Sequence, residues 1–364
     1  MKLAEIIAYL ESLAPLSSQE SYDNSGLIVG NKNTELTNAL ISLDCTEEIV
    51  DEAISKGCNL IISHHPILFK GIKKLTGENY IERTIIKAIQ NNIAIYAIHT
   101  NLDNYQLGVN KKIGQLLGIS HPEILVPAED NLIKFSVYTP LSHAEIVKNS
   151  LFQNGAGKIG NYEECSFSLE GEGTFKALAE ANPFLGNIGE KHHEKEIKIE
   201  VLVSKHRLNR MIDAMIAVHP YEEVAYDCIP LKNKNKAEGA GMYGELSEAM
   251  NEIDFLHHLK TTFKCQIIRH TRLLNQPIKK IAWCGGAGSF LLNAAKRKGA
   301  DIFITGDFKY HEFFDSENQL IIADIGHFES EQFTIALLDE LLRKKFATFA
   351  PCLTEINTNP VKYF

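Results

Sequence analysis

Short apolar runs that end abruptly in polar residues recur along this chain: Leu60-Ile61-Ile62-Ser63, Ile93-Ala94-Ile95-Tyr96-Ala97-Ile98 and Leu320-Ile321-Ile322-Ala323-Asp324-Ile325. Runs this short, with almost no polar alternation, predict strands buried on both faces, as in a parallel sheet covered by helices. The residues after each run carry the chemistry. His64-His65-Pro66 follows the first, and because proline has no N–H to continue a ladder, both imidazoles are left at a strand mouth. His99-Thr100-Asn101-Leu102-Asp103 follows the second and brings a carboxylate to another strand end. Gly326-His327-Phe328-Glu329-Ser330-Glu331 follows the third and leads into Phe333, Ile335, Ala336, Leu337 and Leu338. That spacing predicts a helix on which His327 and Glu331 share one face.

The same pattern occurs twice. Ala53-Ile54-Ser55-Lys56-Gly57-Cys58-Asn59-Leu60-Ile61-Ile62-Ser63-His64-His65 aligns without a gap, at an offset of 242, with Ala295-Lys296-Arg297-Lys298-Gly299-Ala300-Asp301-Ile302-Phe303-Ile304-Thr305-Gly306-Asp307. Each reads as a helix tail, a glycine stop, a polar turn and an apolar strand. The preceding strands, Ala39–Asp44 and Ile278–Cys284, match in kind. The expected architecture is α/β, with two homologous α/β halves at residues 1–128 and 235–364, packed around a cleft at the strand carboxyl ends.

Residues 129–234 have a different pattern. Strands are expected at Ile133–Tyr138, Glu164–Leu169, Gly173–Leu178, Lys198–Val203 and Val224–Ile229, with helices at His143–Leu151 and Leu208–Ala217. This order resembles a ferredoxin-like α+β insert. The charged stretch Gly189–Lys195 reads as a loop, and its paired His192 and His193 as poor metal ligands without a flanking strand. His219-Pro220-Tyr221-Glu222-Glu223 reads as a helix-to-strand junction.

Composition mainly excludes. The chain has 364 residues, 45% of them hydrophobic and 23% charged, enough for a large core in two or three domains. A net charge of −9 provides no basic footprint for a nucleic-acid partner. The first eleven residues form an amphipathic helix pattern rather than a secretory signal, and no apolar run approaches the ~20 residues that span a bilayer. Seven scattered cysteines with no C-x-x-C fit a reducing, cytoplasmic setting.

Neighbouring strand residues point to opposite sides, so His64 and His65 reach one ion together with difficulty but can each take one of two adjacent ions. With Asp103, His327 and Glu331 they make a His/carboxylate set for two divalent cations; Zn, Fe, Mn and Co all suit it. Two such ions lower the pKa of a shared water and polarise the bond it attacks, which is hydrolysis without a protein nucleophile. Asp307, Lys309 and His311 follow the strand that mirrors the His-His strand and are candidates for catalytic roles, with His311 as a proton shuttle. Asp23, Asn24 and His99 are candidate substrate contacts; Asp23 and Asn24 also fit an Asx turn, and His99 also fits a role in orienting Asp103. Gly285-Gly286-Ala287-Gly288-Ser289 matches no phosphate-loop pattern and reads as a tight turn with Ser289 as a helix N-cap.

Taken together, Tyr22-Asp23-Asn24-Ser25-Gly26-Leu27, Ser63-His64-His65-Pro66, His99-Thr100-Asn101-Leu102-Asp103, Thr305-Gly306-Asp307-Phe308-Lys309-Tyr310-His311 and Gly326-His327-Phe328-Glu329-Ser330-Glu331 resemble the GTP cyclohydrolase 1 type 2 homologue family, the NGG-interacting-factor-like dinuclear metal proteins. The resemblance covers about residues 1–125 and 236–364. The middle region is similar to the insert of longer members, which resembles trimeric signalling and copper-tolerance domains. The resemblance implies a two-metal site of His64, His65, Asp103, His327 and Glu331, with Glu331 as the bridge, inside a toroidal homohexamer. The family name implies hydrolytic ring opening of GTP. It leaves open a non-catalytic alternative: a metal-binding regulatory or metal-chaperone protein.

Overall fold

The computed structural model describes residues 1–364 and is a mixed α/β structure with three sheets. The chain forms two compact units, one from residues 1–127 together with 237–364 and one from residues 128–236.

In the first unit one sheet holds β1 (Gly26–Val29), β2 (Ala39–Ser42), β3 (Leu60–Ser63) and β4 (Ala94–Ala97), in the order β1-β4-β3-β2. β2, β3 and β4 are mutually parallel and β1 runs antiparallel to β4. The connections are the helices Glu47–Ser55 and Tyr80–Gln90, N-capped by Thr46 and Asn79. Each cap oxygen takes up a backbone N–H that the first turn cannot bond internally.

The second sheet repeats that plan. With β5 (Glu123–Ala128) and β10 (Asn235–Met250) at one side, β11 (Arg269–His270), β12 (Ile278–Ala287), β13 (Ile302–Gly306) and β14 (Ile321–Asp324) lie in the order β11-β14-β13-β12. Again three strands are parallel and the edge strand β11 is antiparallel. A last strand, β15 (Cys352–Leu353), leaves the second half and pairs in parallel with β2 of the first sheet.

The apolar runs are buried on both faces, with alternate residues serving different cores. Leu60, Ile62, Ile302 and Ile304 join one cluster shared by both sheets, together with Leu3, Ile6 and Leu10 of the first helix, Trp283 and Leu338. Ile61 faces a separate layer with Leu40, Val50 and Ile95, and Phe303, its counterpart at the 242 offset, faces another with Ala282, Ala295 and Ile322. Burial on both faces removes the alternation that a half-exposed strand would show.

The second unit has its own sheet and core. β6 (Leu132–Pro140), β7 (Ser166–Lys176), β8 (Lys191–Ser204) and β9 (Tyr226–Leu231) are ordered β7-β8-β6-β9, all antiparallel. Helices Ala144–Gln153 and Leu208–Ile216 cover it through Val147, Leu151, Met211 and Met215. Two expectations change here. The runs expected as separate strands at 164–169 and 173–178 are one strand, β7, because its glycines, Gly171 and Gly173, pair in register with Glu196 and Glu194. The stretch expected as a loop at 189–195 is largely strand: from Lys191 it pairs with β7, and His192 and His193 pair with Glu194 and Glu172. His219 bonds the Tyr138 carbonyl and accepts from the Tyr221 N–H, as a junction residue does.

Candidate metal centre

The carboxyl ends of β3, β4, β13 and β14 bring the polar segments together in the first unit. His64 is fully buried and His65 follows it at the mouth of β3. Asp103 closes the short helix Thr100–Asp103 after β4, and His327 and Glu331 open and close the helix His327–Glu331 after β14. These five side chains converge.

The ring hydrogens explain how. The Nδ1 of each of four histidines meets an oxygen: His64 the Ile98 carbonyl at 2.8 Å, His65 Asp44 at 2.8 Å, His99 Asp23 at 2.8 Å and His327 Asp307 at 2.7 Å. An oxygen at Nδ1 selects the tautomer with hydrogen there and leaves Nε2 as a lone pair, the usual preparation of a metal-binding imidazole. His64 Nε2 lies 3.6 Å from Asp103 Oδ1 and 3.8 Å from Glu331 Oε1. His65 Nε2 and His327 Nε2 lie 3.2 Å apart and each 3.0 Å from Glu331 Oε2. Glu331 thus turns one oxygen to His64 and the other to His65 and His327.

Two sets sharing that carboxylate, His64/Asp103/Glu331 and His65/His327/Glu331, could each hold a metal ion, as could His64/His65/His99. The donors fit a cation. His64 Nε2 and Asp103 Oδ1 are buried without a hydrogen-bond partner, a condition that costs free energy unless something positive meets them. Two facing Nε2 lone pairs also repel unless a proton or a cation stands between them.

Charge follows from this crowding. Burial raises the Asp103 carboxyl, and neighbouring Glu331 raises it further, to about 7. Burial works the same way on Glu331, but His327, His65 and His64 hold it well below the usual carboxylate range. Burial disfavours charge on His65, yet Asp44 and Glu331 hold its pKa at about 9; at His327, Glu331 and Asp307 overcome burial and raise it to about 11. Without a cation, protons therefore occupy the positions between the carboxylates.

A backbone feature makes room for Glu331. Gly286 has φ +61, and a Cβ there would stand 2.3 Å from Glu331 Oε1. The N–H of Gly285 donates to Asn110 Oδ1 and that of Gly286 to Ser330 Oγ. The glycine segment is thus the tail of β12 pressed against Glu331. Ser289, expected as an N-cap, caps nothing: the turn Ser289–Leu291 is preceded by Gly288 and has no side-chain cap bond.

The other sequence candidates separate. Asp307, at φ +58, accepts from His327 and lines the cavity. Lys309 and His311 are exposed and stand outside the lining; His311 packs against Tyr310. Asp23 accepts from His99 and Thr100, and these bonds hold its carboxyl well below the ordinary value despite burial. His99 also lines the cavity, with its ring 5.3 Å from that of His64 and 5.2 Å from that of His65. Asn24 faces elsewhere and donates to the Leu68 carbonyl. Sequence reasoning missed Asp44 and Thr358. Asp44 accepts from His65 with one oxygen and from Thr358 Oγ1 at 2.5 Å with the other. Asp44 ends the apolar run of β2, the same signal that singled out His64, and could have been found by it. Thr358 lies in a coil segment without such a mark. The cavity beside the cluster measures about 1020 Å³.

The family model for Duf34/NIF3 (NGG1p interacting factor 3) matches residues 1–360. A protein of Staphylococcus epidermidis named GTP cyclohydrolase 1 type 2 homolog is 36% identical over 368 residues, covering both chains fully, and one of the same name from Halalkalibacterium halodurans is 37% identical over 371, again covering both fully. Among solved structures, a Bacillus cereus protein related to NIF3 superposes with a TM-score of 0.87 at 37% identity, covering 100% of this chain and 99% of that one.

Proposed function

This chain belongs to the Duf34/NIF3 (NGG1p interacting factor 3) family, and from there we propose that it is a dinuclear metal-dependent hydrolase with His64, His65, Asp103, His327 and Glu331 as ligands. The observation that carries the reading is that Glu331 offers its two oxygens to different histidines, each of which has its Nδ1 engaged by another oxygen. Glu331 would be the ligand shared by the two ions. Two divalent cations bound there, whether Zn, Fe, Mn or Co, would lower the pKa of a water and polarise the bond under attack.

The chain's own residues orient and hold. Ile98, Asp44 and Asp307 fix the rings of His64, His65 and His327, so that the lone pairs are in place before a cation arrives. Asp23 fixes His99, which stands at the cavity wall as a substrate contact or a further ligand. Asp103 can hold a proton at neutral pH until a cation displaces it. Lys309, His311 and Asn24 have no part in this proposal, since none lines the cavity.

The substrate is a heterocyclic small molecule, GTP being the compound in the relatives' name. Residues 1–128 and 235–364 form the two halves that supply the ligands. The antiparallel order of residues 129–234 supports reading them as a ferredoxin-like insert. The assembly is a toroidal homohexamer working in the cytoplasm. A second reading, a non-catalytic metal-binding, regulatory or metal-chaperone protein, draws on the exposed positions of Lys309 and His311, which deprive the cavity of two acid–base groups.

The test is metal content by plasma mass spectrometry, followed by product analysis with GTP and related heterocycles. Two cations per chain and a hydrolysed product for the parent, with both lost in Glu331→Gln, are expected. A metal-replete parent without turnover on any of them moves the assignment to the second reading.

A further inference from the structure

The cavity beside the cluster is poorly equipped for a polyphosphate. Arg269 is the only lysine or arginine in its lining, and Asp324 already pairs with it. Seven carboxylates line the same space, including Glu20, Asp44, Asp307 and Glu329 outside the five-residue cluster. Two divalent cations would offset four of those charges and Arg269 a fifth, so the wall stays negative even with metal bound.

Several of the backbone groups at this wall that could bind phosphate are also committed. In the glycine segment after Cys284, the N–H groups of Gly285 and Gly286 go to Asn110 and Ser330. Helix Glu47–Ser55 begins beside the cavity at Thr46, but Thr46 caps it and Glu47 and Glu48 occupy its first turn. Helix Tyr80–Gln90, whose Tyr80 and Ile81 reach the cavity, is capped by Asn79, and Glu82 collects the preceding N–H groups of Thr76, Gly77 and Glu78. At these two helix starts an anion would have to displace a carboxylate or a capping side chain.

Flat apolar surface is plentiful. Tyr22, Phe69, Tyr80, Phe290 and Tyr363 all line the cavity and are exposed. Phe69 stands edge-on to His99 at 5.8 Å and so connects this aromatic wall to the cluster. Aromatic faces in a negative field attract planar rings that are neutral or carry positive charge, and repel polyanions.

We infer that the site takes a planar heterocycle without a polyphosphate, of the nucleobase or nucleoside class, and disfavours nucleoside triphosphates. This rests on the metal-centre reading for what happens to the bound ring, whereas the preference itself comes from the cavity wall. The test is calorimetric titration of the Mn²⁺-loaded full chain with guanosine, adenosine and GTP at low and high salt, with metal content measured on the same samples. At least one nucleoside should bind about tenfold or more tightly than GTP at low salt, with the gap narrowing as salt screens the wall. Phe69→Ala and Phe290→Ala should each weaken nucleoside binding by about five- to tenfold, and Glu20→Lys should narrow the gap by strengthening GTP binding more than nucleoside binding. Tighter binding of GTP than of both nucleosides, or no measurable binding of either nucleoside, overturns the inference. Absence of bound Mn²⁺ counts instead against the metal reading, and the ligand preference is still read from the same titrations.

Discussion

Gly286 shows how narrow the tolerance is around Glu331. A methyl group there would overlap Oε1, and the φ of +61 adds backbone strain for any L side chain. Gly286→Ala should therefore displace the carboxylate and lower metal affinity by an order of magnitude or more in a competition titration with a chromophoric chelator, while the far-ultraviolet spectrum stays unchanged. Metal uptake should also release protons. His65 and His327 hold theirs well above neutrality and Asp103 near it, and a cation must displace all three. Adding Zn²⁺ to metal-free protein in weak buffer at pH 7 should release more than one proton per chain; no release would mean that the cation binds elsewhere. Asp23 makes a separate prediction. Its folded pKa lies below the unfolded value, so its contribution is present above about pH 4 and disappears as pH falls below that. Asp23→Asn should cost about 1–3 kcal/mol at pH 7, and the difference in melting temperature from the parent should shrink toward pH 3.

The repeated βαβ plan makes a prediction of its own at the level of elements. Gly57 and Gly299, matched at the 242 offset, both have φ +67 after the helix that precedes a central strand, and a Cβ at either would meet nothing within 4 Å. Replacing either by alanine should cost the same, about 1 kcal/mol, because the penalty is purely conformational. Unequal costs in denaturant titrations would mean that the two turns are not equivalent. What the sequence conveyed about this level was what is local. The runs around Leu60, Ile95 and Ile322, and the helix after Phe333, are dense enough in apolar residues to announce themselves. His64, His65, Asp103, His327 and Glu331, the proposed ligands, stand out in the sequence because each closes or follows such a run. Pairings decided far away could not be read. Cys352-Leu353 is too short to carry a period, and only its contact with Leu40 and Ile41 makes it a strand. Gly171 and Gly173 looked like an interruption because a glycine in a strand is recognised only through the neighbour it pairs with.

At the scale of the molecule, the segment after β15 ties the candidate centre to the last residues of the chain. Lys56 pairs with Glu355, the Glu355 N–H donates to Glu52, and Thr358 reaches Asp44, which holds His65. Removing residues 356–364 should leave the sheets intact but free the His65 ring, so that metal affinity falls about 10–100-fold with little change in the denaturation midpoint. A large loss of stability would mean that the tail is part of the fold instead.

The crossing of β15 to β2 bears on how the chain comes into being. Synthesis runs from the N-terminal side, so the first sheet emerges with every strand except the one that covers the outer side of β2. That row of unpaired N–H and C=O groups stays open while more than 250 further residues are made, and an open edge is a template for pairing with another chain. Until Cys352 and Leu353 leave the ribosome, the nascent first half is therefore a natural client for whatever shields exposed strands in the cell.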